Sequence, residues 1–151
     1  MSLSDWRSYG WLVEHRPTLS EIRDLLVVID RDLADCRIEA LSPDWRLNIA
    51  YNAALQAATV ALAAAGYRAS RESHHYRVIQ TLPETIGASS TTVARLDLFR
   101  KKRNQGGYER AGAVSNQEAR EMIELAEELV AAVRRWLANQ HPELLDPTKG
   151  P

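Results

Sequence analysis

The segment from Ser42 to Gly66, SPDWRLNIAYNAALQAATVALAAAG, constrains the fold more than any other part of the chain. It opens with a serine suited to cap a helix and a proline at the first helical position, and it closes on a glycine, so a start and a stop bracket one helix. Its second half, AALQAATVALAAAG, is mostly alanine and shorter than the roughly 18 apolar residues that suggest a membrane span, which predicts a helix buried inside a soluble fold. Alanines 53, 57, 61 and 64 form a smooth ridge on which a neighbouring helix can approach closely.

The rest of the chain supplies such neighbours. From Thr18, the segment TLSEIRDLLVVIDRDLADCRIEAL places Leu19, Ile22, Leu25, Leu26, Ile29, Leu33 and Cys36 at three- and four-residue spacing, with Asp and Arg on the other face. A shorter helix is expected from about Glu72 to Leu82, ended by Pro83 and Gly87, and a further one from near Ser90. The last, SNQEAREMIELAEELVAAVRRWLANQ, begins with Ser115 and has Glu118 three residues on, a capping box. It sets Met122, Ala126, Leu129, Val133 and Trp136 or Leu137 on one stripe. Nothing between the helices alternates as a strand. The pattern predicts an all-α fold, an antiparallel up-down bundle of four main helices plus one short helix. The bundle is expected over residues 18–140, with an aromatic segment at 1–17 packed on it and a Pro- and Gly-containing tail at 141–151.

A length of 151 residues suits one domain with a single core. The formal net charge of −1 means that any affinity for nucleic acid must come from a local patch. The one cysteine, Cys36, excludes an intrachain disulfide framework and multi-cysteine metal sites, and its apolar neighbours favour a buried thiol. The N-terminus carries Asp5, Arg7 and Glu14 among its aromatics and lacks a signal-peptide core, so a cytoplasmic protein with no membrane association is expected.

The stretch LDLFRKKRNQGGYERAG, residues 96 to 112, holds the chemistry. With Leu96 at the centre of the apolar face and about 100° per residue, Val93, Phe99, Arg100 and Arg103 fall within about 60° of it, whereas Lys101 and Lys102 fall well outside. The two lysines read as solvated cations favoured by the helix dipole at the C-terminal end. An arginine in line with apolar residues instead needs a carboxylate, a phosphate or an interface to satisfy its five donors. Asn104 adds an orientable amide, and Gly106 and Gly107 end the helix. Arg100, Lys101, Lys102 and Arg103 form the candidate nucleic-acid-binding set.

Arg103, Asn104, three further residues and Tyr108 resemble the Arg, four to six residues, His motif of HEPN domains, in which the residue after the arginine is commonly Asn, Asp or His. AYNAALQAATVALAAAGYR is similar to the Tyr/Ala-rich second helix of that family, SHHYRVIQTL is similar to the short segment after it, and the order of helices matches from about Leu19 to Leu137. The resemblance implies a bundle that dimerises so that two motifs face a shared cleft, with RNA or nucleotide as ligand. Many members are metal-independent ribonucleases that form a cyclic phosphate end, several of them toxins paired with a nucleotidyltransferase-like antitoxin. In that scheme Arg103 holds the scissile phosphate, Asn104 orients it, and Tyr108 stands where the family has its histidine. A phenol with an unperturbed pKa of about 10 is a poor general base at neutral pH, whereas an imidazole near 6.5 is well matched. Tyr108 instead suits a hydrogen bond to phosphate or stacking on a base, which argues for binding without cleavage.

His74 and His75 are adjacent, so they diverge around their helix and do not make a metal pair. Helix-start capping and surface hydrogen bonding are expected of them, with room for one to reach a cleft. Trp6, Tyr9 and Trp11 lack a helical period and are expected to cap the open end of the core or extend a dimer contact, a base-stacking platform being the sharper alternative. The chain has no Walker loop, Rossmann glycine pattern or Ser-centred nucleophile elbow, and no cofactor or metal is expected. Two function classes remain: a HEPN-like RNA- or nucleotide-binding protein, with ribonuclease activity as its catalytic form, and a catalytically silent dimerisation and interaction module.

Overall fold

The computed structural model describes residues 2–71, 74–106 and 113–145. In chain order they form α1 (Leu3–Ser8), β1 (Leu12–Glu14), α2 (Leu19–Asp35), α3 (Pro43–Ala64), β2 (Tyr67–Ala69), α4 (His74–Gln80), α5 (Leu82–Thr85), α6 (Ser90–Gly106), α7 (Asn116–Gln140) and a 3₁₀ turn (Pro142–Leu144). The fold is mainly α, and its four long helices are α2, α3, α6 and α7.

The ends of these helices follow from their sequence. Ser42 accepts from the amide of Trp45 at 3.3 Å with Pro43 in the first turn, and α3 stops at Gly66, whose φ of +101° suits a residue without a side chain. Thr18 caps α2 by accepting from Glu21 N at 3.1 Å. At α7 the capping box is complete: Glu118 N donates to Ser115 Oγ at 3.0 Å and Ser115 N donates to Glu118 Oε1 at 3.1 Å.

Helix α3 is the centre of the molecule. It packs most extensively on α7 and α2 and also touches α4, α5, α6 and β2. Its buried residues form an almost continuous run from Ala50 to Ala63, including Ala53, Ala57 and Ala61 at 0% exposure, as a helix apolar on nearly all sides must be. Asn52, Gln56 and Thr59 form its half-buried polar stripe, and Asn52 Nδ2 donates to the buried carboxylate of Asp32 on α2 at 2.7 Å. By length and composition α3 is apolar enough to cross a membrane, contrary to the shorter run expected from sequence, but 67% of that window is buried within the fold. Ile22, Ile29 and Cys36 from α2 and Met122, Ala126, Leu129, Val133 and Leu137 from α7 complete the core. Leu137 takes the inward place on the α7 stripe, and Trp136 lies at its edge with its ring 4.9 Å from that of His141.

Besides α1, a capped helix around Trp6 in the segment expected to have no helical period, two features depart from the expected pattern. First, β1 and β2 pair antiparallel, Leu12 opposite Ala69 and Glu14 opposite Tyr67, so a small piece of sheet fastens the N-terminal segment to the exit of α3. Three residues per strand are too few to show alternation, and the pairing is non-local. Second, the short helix expected over 72–82 is two pieces, α4 and α5, that meet at Thr81. Proline cannot donate within a continuing helix and its ring clashes with the carbonyl four residues back, so Pro83 sits in the first turn of a new helix and does not merely stop the old one. Thr81, fully buried at this joint, donates its hydroxyl to the Val78 carbonyl at 2.7 Å.

Candidate functional site

Helices α4 and α6 both pack on α3 and on each other, and a cleft of about 380 Å³ opens between them. It is lined by His74, His75 and Tyr76 from the start of α4 and by Arg100 and Asn104 from the end of α6. The helical stripe accounts for the α6 side. Val93 and Leu96 are buried, Phe99 packs against the core, and Arg100 and Arg103, further along the same stripe, are half-buried. The cationic end of α6 therefore starts in the core and emerges at the cleft.

Each cation in the run has different surroundings. Arg100 donates its Nε to Asp97 Oδ1 at 2.8 Å, with both side chains about four-fifths buried, and its guanidinium stands 5.5 Å from the centre of the Tyr76 ring. Lys101 reaches the other oxygen of Asp97 at 3.4 Å. Burial pushes the Asp97 carboxyl up, but its bonds and charge contacts with Arg100 and Lys101 outweigh that and hold it below the usual carboxylate range. Lys102 ion-pairs with Glu118 of α7 at 3.3 Å, so it is an α6–α7 tie and not the freely solvated cation that the sequence suggests. Arg103 is different. Among the described residues no carboxylate lies within ion-pair distance of it, and its guanidinium stands over the ring of Tyr51, 5.4 Å from the centroid.

No family model, curated protein or solved structure matches this chain.

Tyr51 comes from α3 and lies beneath the cleft. It is 1% exposed, its hydroxyl has no hydrogen-bond partner among the described residues, and burial pushes its pKa up to about 12 against the lowering effect of Arg103 and Arg100. His75 stands beside it, ring centroids 6.1 Å apart, and His74 lies 6.0 Å from His75. Burial lowers the His75 pKa, and Arg103, the adjacent His74 and Arg100 lower it further, which favours the neutral imidazole.

Of the residues singled out from sequence, Arg100 and Asn104 line the cleft, Arg103 lies on Tyr51 next to it, and Lys101 and Lys102 are drawn aside by Asp97 and Glu118. Tyr108 lies outside the described residues. Sequence reasoning undervalued His74 and His75, which line the cleft as half-buried groups, and it passed over Tyr51 and Tyr76. The spacing of Asp97 three residues before Arg100 and four before Lys101 was a visible signal of ion pairing that went unused. Among the described residues no group of three or more His, Cys, Asp or Glu side chains is placed to hold a metal ion.

Proposed function

We propose that the α4–α6 cleft binds a phosphate of RNA or of a nucleotide, in a HEPN-like protein that acts as a symmetric homodimer. One observation carries the phosphate assignment. Arg100, Lys101 and Lys102 each have a carboxylate in reach, whereas the half-buried Arg103 has none among the described residues and rests on an aromatic face. A guanidinium so placed presents a planar fork of donors that a phosphate fills with two parallel hydrogen bonds. Asn104 and Arg100 supply further donors from the same helix end. The dimer follows from the family resemblance, in which two motifs share a cleft, as does a nucleotidyltransferase-like antitoxin as partner. Because α3 is enclosed by its own neighbours over most of its length, α6 is the helix such an interface would use.

A second reading, metal-independent cleavage of RNA, is favoured by His75. A neutral imidazole lining the same cleft as Arg100 and Asn104 fits the general-base role that Tyr108 fills poorly. In that reading His75 takes the proton of a ribose 2′-hydroxyl and the freed oxygen attacks phosphorus. The bond to the 5′-oxygen breaks, and that oxygen leaves with its electron pair and takes a proton from water.

Both readings are tested by one set of incubations. Labelled RNA is titrated with the protein across a salt series, then incubated with it in chelator and its ends analysed. Affinity falling with salt supports phosphate binding, because released counterions contribute to it. New cyclic phosphate ends support cleavage. Binding that is absent or indifferent to salt returns the chain to the catalytically silent interaction class.

A further inference from the structure

Beyond the cleft, aromatic rings and guanidinium groups alternate along the surface. The guanidinium groups of Arg100 and Arg77 each lie 5.5 Å from the centre of the Tyr76 ring. Arg77 in turn stacks over the ring of Trp11 at 3.8 Å from its centroid. The Trp11 and Tyr9 centroids are 5.0 Å apart with the planes inclined at 36°. The N-terminal aromatics, brought here by the β1–β2 pair, thus connect to the cleft through α4.

We propose that this ladder is a track for single-stranded RNA that continues from the phosphate cleft, with Tyr76 and Tyr9 as the stacking faces and Arg77 as the cation between them. The proposal rests on the phosphate-binding reading of the cleft and names its substrate as a strand several nucleotides long. Three observations support it. Tyr9 is 63% and Tyr76 36% exposed, while Trp6 is buried, so the segment divides into an anchor and an outward face. Trp11 is held from three sides, by Arg77, by Tyr9 and edge-on by Trp6 at 5.8 Å, and serves as a rigid backing and not as a free ring. Arg77 has no carboxylate in ion-pair distance among the described residues, whereas the acidic groups of the N-terminal segment are engaged elsewhere, Asp5 by Ser2 and Glu14 by Arg7. Exposed π-faces beside a guanidinium with no carboxylate partner among the described residues match what an unpaired strand offers, bases at one edge and phosphates at the other. A duplex hides its base faces and does not match.

The test compares a nucleoside monophosphate, an eight-nucleotide single-stranded RNA and the same RNA as a duplex, by fluorescence titration with the full chain. The single strand is expected to bind at least tenfold more tightly than the mononucleotide and than the duplex. Tyr9→Ala is expected to lower single-strand affinity about five- to a hundredfold with mononucleotide affinity unchanged, Tyr76→Ala, which also removes part of the cleft wall, to lower the affinity for both, and the two Phe variants to retain single-strand affinity. A mononucleotide that binds through Arg103 while the longer strand gains nothing overturns the track and leaves the cleft reading standing. Failure of all three ligands to bind overturns both. Because the length series uses the parent chain, it decides the matter even where an alanine variant is unstable; Tyr9, the more exposed, is the variant to trust if Tyr76→Ala melts early.

Discussion

The guanidinium of Arg103 lies 5.4 Å from the centre of the Tyr51 ring, so the last core-facing cation of α6 rests on the most deeply placed aromatic of the central helix. The contact orients the arginine without neutralising it. A face-on aromatic attracts the cation and leaves its N–H edge free for another acceptor. Arg103→Lys should therefore weaken phosphate or RNA binding by about tenfold or more, since an ammonium neither stacks as a plane nor makes two parallel bonds. Arg103→Ala should leave the helical circular dichroism spectrum intact. Parent-like binding by Arg103→Lys, with binding lost in a Lys101→Ala, Lys102→Ala double variant, would remove Arg103 from the site.

Tyr51 separates packing from chemistry. Its hydroxyl is buried without a partner among the described residues, so Tyr51→Phe removes an uncompensated polar group and should change stability by no more than about 1 kcal/mol, in the stabilising direction if at all. Tyr51→Ala leaves a cavity under the cleft and should cost about 3–5 kcal/mol. Urea denaturation of the two variants measures both. A large loss in Tyr51→Phe would show that the hydroxyl has a partner.

The two lysines make a smaller and different contribution. Replacing both by alanine should lower RNA affinity modestly and flatten its salt dependence, because they add long-range attraction while Asp97 and Glu118 hold their head groups. A double-mutant cycle between Lys102 and Glu118 should give a coupling of about 0.2–1 kcal/mol, the range of partly exposed ion pairs. Ser115→Ala, which breaks the box that orients Glu118, should cost about 1 kcal/mol by itself in thermal denaturation.

His75 makes the pH behaviour testable. Its folded pKa lies below the unfolded value of about 6.5, so the unfolded chain takes the proton first as pH falls. The resulting stability is fully present above about pH 6.5 and is lost as pH drops through the folded value. His75→Gln should abolish this part of the pH dependence. A phosphate in the cleft should raise the His75 pKa by placing negative charge beside it, which an NMR titration of the imidazole with and without nucleotide would record. An unchanged titration in the presence of bound nucleotide would place the ligand elsewhere.

The parts of this molecule that were legible in the sequence are those governed by near neighbours in the chain. Ser42, Pro43 and Gly66 bound α3, Ser115 and Glu118 start α7, and the stripe from Val93 through Leu96 to Arg103 runs from core to surface as its spacing indicates. What was not legible depends on partners distant in sequence. The Leu12–Ala69 pairing, the approach of Glu118 to Lys102 and the seating of His75 beside Tyr51 arise from packing, and no local period announces them. The break at Thr81 is the exception: Pro83 announced a boundary, but a proline in a first turn starts a helix as readily as it ends one.

The clasp between β1 and β2 also bears on the order of assembly. Besides the ladder, Ser70 donates its hydroxyl to the Gly10 carbonyl at 2.7 Å across a separation of 60 residues, with α2 and α3 making up most of the chain between. Closing so long a loop costs entropy that only packed intervening helices can offset, so this junction forms late in folding. A chain emerging from the ribosome holds Trp6, Tyr9 and Trp11 with only each other as partners until the whole of α3 has been made. The aromatic segment is thus the last piece of its half to be secured.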